Sequence, residues 1–295
     1  MNKNRSISQL LAVALVFMLA MTTLCTGETA GADAPVLTEG ADLRIMSFNI
    51  MHPDWSRVAV TGRDEIVAAI LSCYRPDVVA LQEAGAKWHK ALIPLLVDTG
   101  LYAQACRKSN ADGFTYCTTT FLYNPATLSL VEEQILDLDY RDAARVFSVA
   151  VFERLSDSAR FVVTNTHPAP RDEPPKYARN MADLTTFAAA TVEKYADLPV
   201  ILCGDFNTPD YTEVYQSFMR EVGVRDAKYE AELTVRSCST FFGYQAIPDP
   251  DNADLCVDHI FVNDKVGAKL FNVVIDHDVL NASDHTPIYA DVRLK

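Results

Sequence analysis

The chain has 295 residues, 49% of them hydrophobic, and a formal net charge of −13. This composition can form a sizeable core and excludes an intrinsically disordered protein. The acidic balance weighs against a non-specific nuclease, without excluding a local basic groove, because nucleic-acid binding relies on Lys and Arg to neutralise phosphates.

The first predicted element is an export signal. Residues 10–24 form an apolar run that follows a basic N-terminus and is too short for a membrane-spanning helix. Cleavage within the small-residue stretch 29–34 would release a secreted or periplasmic protein, and we favour this route over lipoprotein tethering through Cys25. We therefore expect residues 1–34 to be signal peptide and linker, and residues 42–295 to form one domain.

Apolar runs bounded by turn residues predict strands along the rest of the chain. The predicted strands are 43–48, 78–82, 118–123, 146–152, 161–166, 200–203, 259–262 and 287–292. Apolar residues at helical spacing predict amphipathic helices over 66–74 and 181–195. Strands that alternate with helices, together with strand-rich stretches, indicate an α/β class with mixed sheets.

The cysteines lack a CxxC pair, so a zinc ribbon or a redox dithiol is not predicted. In an exported protein two pairs are candidate disulfides, because each would close a short loop rich in turn residues: Cys106 with Cys117, and Cys238 with Cys256. Cys73, in a helical pattern, and Cys203, in an apolar strand, are expected to be buried thiols.

Polar side chains end four of the apolar runs and precede two others. The four runs end in Asn49, in Glu83, in His167, and in Asp205 with Asn207. The last two apolar runs of the chain are instead preceded by polar residues: one by Asp258, and the other by Asp284 with His285. Taken singly, each group is explained by a turn or a helix start, but jointly they are not. If they share one rim, the last two strands run opposite to the first four. This excludes a doubly wound dinucleotide-binding fold, whose Gly-rich phosphate loop is also missing from the sequence.

This set of side chains suits the hydrolysis of a phosphoester. The reaction needs a hard cation held by oxygen ligands, a group that orients or deprotonates water, and donors for the phosphoryl oxygens. The candidate cation ligands are Glu83, Asp284 and Asn49. The candidates for orienting or deprotonating water are Asp205 and His285, and the candidate donors for the phosphoryl oxygens are His167 and Asn207.

Six motifs in this order resemble those of the endonuclease/exonuclease/phosphatase superfamily, which has the deoxyribonuclease I-like fold. They are MSFNI around Asn49, LQE ending at Glu83, TH ending at His167, GDFN with Asp205 and Asn207, VDHIFV around Asp258, and SDH ending at His285. The motifs span nearly the whole chain after the predicted signal. His259 departs from the family pattern, which commonly has Tyr or Arg after the Asp.

The resemblance implies a four-layer α/β/β/α sandwich with two central mixed β-sheets, and a Mg²⁺-dependent in-line attack by water, with Mn²⁺ as a substitute. It implies that Glu83 binds the metal, with Asn49 and Asp284 in or near its ligand shell. Asp205 would position or deprotonate water, and Asn207 would hold a phosphate oxygen. His167, and His285 oriented by Asp258, would stabilise the transition state.

Two further segments resemble family features. Arg145 precedes a strand where relatives often carry a phosphate-contacting arginine, and a surface salt bridge explains it equally well. Thr240–Gly243 resembles a segment of bacterial members, in which Phe241 and Phe242 are expected to be core residues.

The sequence leaves the substrate open. The negative charge favours a small, sugar-linked or lipid phosphoester over long nucleic acid, and we expect a monomer without an obligate protein partner. The alternatives are a secreted nuclease and a non-catalytic phosphoester-binding module on the same fold.

Overall fold

The computed structural model describes residues 36–56, 58–109, 115–139, 145–237, 239–243, 252–275 and 277–295. The predicted export signal, with Cys25, lies outside the described residues. Of the helices within them, none is both long enough and apolar enough to cross a membrane.

The first central sheet has seven strands and is mixed. In spatial order they are β12 (Leu233–Thr234), β14 (Val266–Val273), β15 (Ile288–Leu294), β1 (Leu43–Asn49), β2 (Val78–Gln82), β6 (Phe121–Tyr123) and β3 (Ala103–Ala105). β1 is parallel to β2 and antiparallel to β15.

The second central sheet has six strands and is also mixed. In spatial order they are β11 (Arg225–Asp226), β13 (Asp258–Val262), β10 (Val200–Asp205), β9 (Arg160–Thr166), β8 (Val146–Arg154) and β7 (Leu128–Asp137). β10 is parallel to β9 and antiparallel to β13. A small hairpin, β4 (Lys108–Ser109) with β5 (Thr115–Tyr116), stands apart from both sheets.

Helices cover the outer faces of the two sheets. On the seven-stranded sheet lie α2 (Arg63–Tyr74), α3 (Ala86–Val97) and α7 (His277–Ala282), and on the six-stranded sheet α4 (Pro174–Lys194) and α5 (Glu213–Val222). Two single turns, α1 (Pro53–Ser56) and α6 (Ala227–Glu230), complete the α-helices of the described chain, which also has a 3-10 turn at Ala253–Leu255. Local sequence sets the ends of α5: the Thr212 side chain accepts the Tyr215 N–H at 3.3 Å, and Gly223 takes the left-handed conformation, with φ 76°.

Three apolar clusters hold the layers together. One lies between the sheets, and the other two lie between each sheet and its helices. Along β1, Ile45 faces the core between the sheets, whereas Met46 and Phe48 face the outer helices. Burial on both faces explains why these strands are apolar at successive positions, and the arrangement confirms the predicted four-layer sandwich.

All eight predicted strands form, with shifts at their ends, as do both predicted helices. The run 118–123 is a strand only from Phe121; in the part before it, the hydroxyls of Thr119 and Thr120 contact Ser148 and the carbonyl of Ala105. The sequence pattern missed β7, β14, α3 and α5. β7 is an edge strand with a largely exposed middle, so it lacks the apolar run on which the prediction relied.

The predicted Cys106–Cys117 disulfide is wrong for this structure, where both residues are free thiols. The Cys106 Sγ lies 3.5 Å from the carbonyl oxygen of Val149, and the Cys117 Sγ lies 3.7 Å from the hydroxyl of Ser148. Burial raises the pKa of both thiols and so keeps them protonated. Cys238 lies outside the described residues. Cys203 is buried as expected, whereas Cys73 is only partly buried.

Candidate active site

The strand directions bring the predicted site residues to one rim. Asn49 and Glu83 end parallel neighbours of one sheet, and His167 and Asp205 end parallel neighbours of the other. Asp258 starts β13 directly opposite Asp205, because these two strands are antiparallel. β15, which follows the Asp284–His285 pair, is antiparallel to β1. The strand reversal inferred from the sequence is therefore present.

Asn49 connects the two sheets at this rim. Its buried Nδ2 lies 3.2 Å from Glu83 Oε1 and 2.9 Å from Asp205 Oδ2. Its Oδ1 accepts the backbone N–H of Met51 at 2.9 Å. The amide thus acts here as a donor that orients two carboxylates, and its oxygen would face a cation only after the amide rotates.

Glu83 and Asp284 supply oxygen atoms on the side of the seven-stranded sheet. The backbone N–H of His52 binds Glu83 Oε2. Burial raises the pKa of Glu83, and the neighbouring Asp284 carboxylate adds to the increase. Asp284 is only partly buried, and its Oδ1 accepts a long hydrogen bond of 3.4 Å from Ser283.

Asp205 lies at the centre of the cluster. Besides Asn49, its Oδ2 faces His167 Nε2 at 3.3 Å and His285 Nε2 at 3.6 Å, while its Oδ1 accepts the backbone N–H of Asn207 at 2.9 Å. Burial and the nearby Asp258 carboxylate raise the pKa of Asp205 to about 7. A carboxylate with a pKa near neutrality is suited to accept a proton.

His285 is held as an imidazolium by two carboxylates. Its Nδ1 lies 2.8 Å from Asp258 Oδ2. Burial opposes the charge, but Asp258 and Asp205 outweigh this effect and raise the pKa of His285 to about 10. The ring of Phe241 packs against the imidazole with centroids 4.9 Å apart, so this residue borders the site, whereas Phe242 is core as expected.

His167 is the neutral partner of this imidazolium. Its Nε2 points between Asp205 and Glu83, the latter at 3.9 Å. Burial, then the charges of Arg145 and His285, lower its pKa well below the usual value. Arg145 is itself buried, so it does not lie at the surface, and its Nη1 donates to the carbonyl oxygens of His167 and Pro168 at 3.3 and 3.4 Å.

The backbone is strained where it carries these groups. Glu83 and Asn207 have φ values of 61° and 51°, in the left-handed region that non-glycine residues seldom adopt. Asn207 Nδ2 also donates to the carbonyl of Pro168 at 3.1 Å. Gly204 is required by close approach, because a Cβ there would lie 2.5 Å from the carbonyl oxygen of Thr166. Such strain is typical of functional sites.

The donor set fits a hard cation. Four carboxylates (Glu83, Asp205, Asp258 and Asp284) converge on one imidazolium, which leaves excess negative charge in a largely buried cluster. Ligand atoms of Asp205, Asp258 and His285 also lie within 4.8 Å of one another. In that triad, however, the His285 ring bridges the acids by its own N–H groups, so Glu83 and Asp284 are the better oxygen ligands for Mg²⁺.

Sequence reasoning missed several supporting side chains. Arg63 donates to the carbonyls of Ile50, Met51 and Ala282, and so ties the segment after β1 to the end of α7 beneath the site. Ser283 donates to the Asn49 carbonyl at 2.7 Å. Ser283 had a signal, as part of the SDH motif, whereas Arg63, which precedes the predicted helix 66–74, had none.

The chain resembles proteins of one family along most of its length. A model of the endonuclease/exonuclease/phosphatase family matches residues 46–285. Human 2′,5′-phosphodiesterase 12 is 23% identical over 333 aligned residues, which cover 92% of this chain and 55% of the human protein. The chain therefore spans about half the length of this curated relative.

Solved structures share the fold at low sequence identity. An endonuclease/exonuclease/phosphatase from Bacteroides vulgatus superposes with a TM-score of 0.70 at 20% identity, covering 86% of this chain and 99% of the other. A mannosyl-6-phosphatase of Bacteroides thetaiotaomicron gives 0.67 at 17%, covering 85% and 99%. The human Nocturnin catalytic domain with bound sulfate gives 0.66 at 19%, covering 88% and 97%. Since the family model matches more than half of its residues, the chain belongs to the endonuclease/exonuclease/phosphatase family, whose members are generally hydrolases that act on phosphoesters.

Proposed function

We propose that this protein is a Mg²⁺-dependent phosphoester hydrolase that directs water in line onto phosphorus. The observation that carries the proposal is the position of Asp205. Its Oδ2 lies 2.9 Å from Asn49, 3.3 Å from His167 and 3.6 Å from His285. A proton acceptor is thereby placed among N–H donors, beside the acids that would hold a cation.

Glu83 and Asp284 would hold the Mg²⁺, with Asn49 orienting Glu83 or adding its oxygen after rotation. When bound, the ion neutralises charge on the phosphoryl oxygens. Mn²⁺ is expected to substitute for it, since both ions accept oxygen ligands in octahedral geometry.

The other residues of the cluster move protons and stabilise charge. Asp205 takes a proton from the attacking water as the water oxygen bonds to phosphorus. The ester P–O bond breaks, and the leaving oxygen keeps its electron pair and takes up a proton from solvent. His285, held by Asp258, faces the phosphoryl oxygens as a cation. Neutral His167 and the Asn207 amide add hydrogen-bond donors for the same charge.

The charge of the protein supports a small, sugar-linked or lipid phosphoester as substrate. A net charge of −13 disfavours long polyanions. The relatives include a 2′,5′-phosphodiesterase and a mannosyl-6-phosphatase, and one zebrafish TDP2 structure holds single-stranded DNA product. We further propose that the protein acts as an exported monomer, on the basis of its apolar leader sequence.

The test is hydrolysis of chromogenic phosphodiesters and phosphomonoesters with Mg²⁺, Mn²⁺ or a chelator. We expect metal-stimulated turnover that is lost in Asp205→Ala and His285→Ala and kept in Asp157→Asn, which removes an exposed carboxylate in the turn before β9, at the opposite end of that strand from His167. Equal activity in the two site variants, or no stimulation by either metal, would contradict the proposal. Tight binding without turnover would instead favour a binding module.

A second panel identifies the substrate. It compares sugar phosphates, inositol phosphates, sphingomyelin and nucleotide diesters with DNA and RNA. Faster turnover of the small or lipid esters supports the substrate class proposed above, and preference for DNA or RNA would make the protein a nuclease.

A further inference from the structure

A buried polar network lies behind the catalytic loop and takes no part in the chemistry proposed above. We define the catalytic loop as residues 206–210, which follow Asp205 and include Asn207. His259 lies against it, 2% exposed, among the rings of Phe206, Tyr215 and Phe261. A histidine in such an apolar setting requires partners for both of its ring nitrogens.

Both nitrogens of His259 face acceptors. Its Nε2 lies 2.8 Å from the carbonyl oxygen of Thr208, and its Nδ1 lies 3.0 Å from Asp226 Oδ2. A backbone carbonyl can only accept, so Nε2 carries a hydrogen. The other nitrogen also carries one, because Asp226 accepts the Tyr215 hydroxyl and the Lys228 backbone N–H, each at 2.8 Å, as an ionised carboxylate does. His259 is therefore a buried imidazolium.

The bond to Thr208 holds the loop next to a residue with left-handed backbone. Thr208 follows Asn207, whose φ of 51° lies in a region that few residues other than glycine adopt. Surrounding contacts help to keep the backbone in such a conformation. His259 also pairs with Gly204 across the antiparallel strands, so it is registered against the strand that delivers Asp205.

A second cation, which is partly buried, holds the far end of the loop. Lys228 Nζ lies 2.7 Å from Asp210 Oδ2, and the Lys228 side chain is 14% exposed. The backbone N–H of Lys228 binds the same Asp226 that holds His259. One carboxylate thus fixes both of the cations that hold the loop.

We propose that His259 and Lys228, tied together by Asp226, are positioning residues that hold Asp205 and Asn207 in the geometry required for hydrolysis. The inference rests on the proposed function for its kinetic consequence. The proposal assigns a role to His259, which departs from the family pattern: from strand β13 it donates one hydrogen bond to the loop and one to Asp226.

The sharpest test compares two substitutions that each keep one bond. In His259→Gln the amide nitrogen takes the place of Nε2 and keeps the bond to Thr208. In His259→Asn it takes the place of Nδ1 and keeps only the bond to Asp226. We expect kcat to fall about 10- to 100-fold in His259→Asn and clearly less in His259→Gln, because displacement of reacting groups by about 1 Å costs rates of this order.

Asn263→Ala is the matched control. Asn263 is buried, follows the same strand β13 at its other end, and donates to the Leu198 carbonyl at 3.0 Å, so its loss destabilises the same strand pair away from the loop. We expect unchanged kcat there, and unchanged Mg²⁺ affinity in all variants, because Glu83 belongs to the other sheet. Equal losses in His259→Asn and Asn263→Ala, or wild-type kcat in His259→Asn, would overturn the proposal.

Hydrogen–deuterium exchange separates this inference from the proposed function. Faster exchange confined to residues 206–210 in His259→Asn supports the anchoring even if the wild-type protein hydrolyses no phosphoester, and unchanged exchange there overturns it. Should His259→Asn not fold, Lys228→Met releases the loop at Asp210. The same local loosening and loss of kcat are then expected, and their absence counts against the proposal.

Discussion

The two sheets contribute different chemistry to the same site. The seven-stranded sheet brings Glu83 and Asp284, the proposed oxygen ligands for a cation, and the six-stranded sheet brings Asp205, the proposed proton acceptor, and the proposed donors His167 and Asn207. Hydrogen bonds within the site cross between the halves: Asn49 bonds to Asp205, and His285 bonds to Asp258. The site therefore exists only while the sheets keep their relative position.

The halves also differ in how their loops are held. Beneath the seven-stranded side, buried Arg63 donates to carbonyls of Ile50, Met51 and Ala282, so it joins segments that are distant in sequence. On the six-stranded side, His259 donates to a single loop carbonyl, that of Thr208. Loss of the first cation should affect global stability, whereas loss of the second should affect activity locally.

The largest expected effect tests the division of labour. Asp205→Asn keeps the shape of the side chain but removes the proton acceptor, so we expect kcat to fall by about 10²- to 10⁴-fold. Mg²⁺ affinity should change little, as measured by calorimetry. Glu83→Gln should instead weaken Mg²⁺ binding and recover activity at high Mg²⁺. If both variants show the same pattern, the two halves do not have separate roles.

The next effect is on folding. Arg63→Met removes the donors for three buried carbonyls, and we expect the free energy of unfolding to fall by about 3 kcal/mol. Urea denaturation followed by circular dichroism measures it. Arg63→Lys, which keeps the charge but cannot reach all three acceptors, should lie between Met and wild type. A loss below about 1 kcal/mol would show that the carbonyls find other partners.

The sequence was most informative where buried strands end. A polar group directly after an apolar run lies at the rim of a sheet, and this alone placed Glu83, His167 and Asp205 correctly with respect to their strands. Near the carboxyl end of the chain the polar residues precede their strands instead of following them, and this reversal implied mixed sheets. The mixed sheets and the shared rim were predictable for this reason, the four-layer architecture was predictable from the family resemblance, and the specific catalytic roles stay predictions.

The supporting contacts could not be predicted in the same way. The acceptors of Arg63 lie up to 219 residues away in sequence, and only the fold brings them together. Cys106 and Cys117 have a suitable spacing for a disulfide, but spacing does not report the direction of each Sγ atom, and both thiols point to polar groups of β8. Arg145 likewise was expected at the surface or on phosphate, and it holds the carbonyl of His167.

A smaller effect tests the bridge between the sheets. Gln82 Nε2 donates to Asn165 Oδ1 at 2.8 Å, and Asn165 Nδ2 donates to the Leu81 carbonyl at 2.8 Å, all within the buried core. We expect Asn165→Leu to lower the free energy of unfolding by about 2 kcal/mol, because buried partners lose their bonds. The double variant with Gln82→Leu should recover part of this loss. Full additivity in urea denaturation would mean that the two side chains do not interact.

The smallest expected effect is a pH dependence of stability on the six-stranded side. Burial opposes protonation of His259, but the Asp226 carboxylate outweighs it and raises the pKa of His259 above its usual 6.5. Asp210 adds to this increase. A histidine whose pKa is higher in the folded than in the unfolded state stabilises the fold. Its full contribution is present at pH values below the unfolded pKa, and it is lost as the pH rises through the folded pKa.

The stability gap between wild type and His259→Gln should therefore be largest just below the unfolded pKa of 6.5 and should narrow as pH rises through the folded value. Urea denaturation at a series of pH values measures this gap, and Asn263→Ala, which removes no titrating group, should show a constant one. A gap that stays constant for His259→Gln, or widens on the alkaline side, would mean that His259 is not the buried cation that its two acceptors require. The loop would then be held by the shape of the ring, without a contribution from its charge.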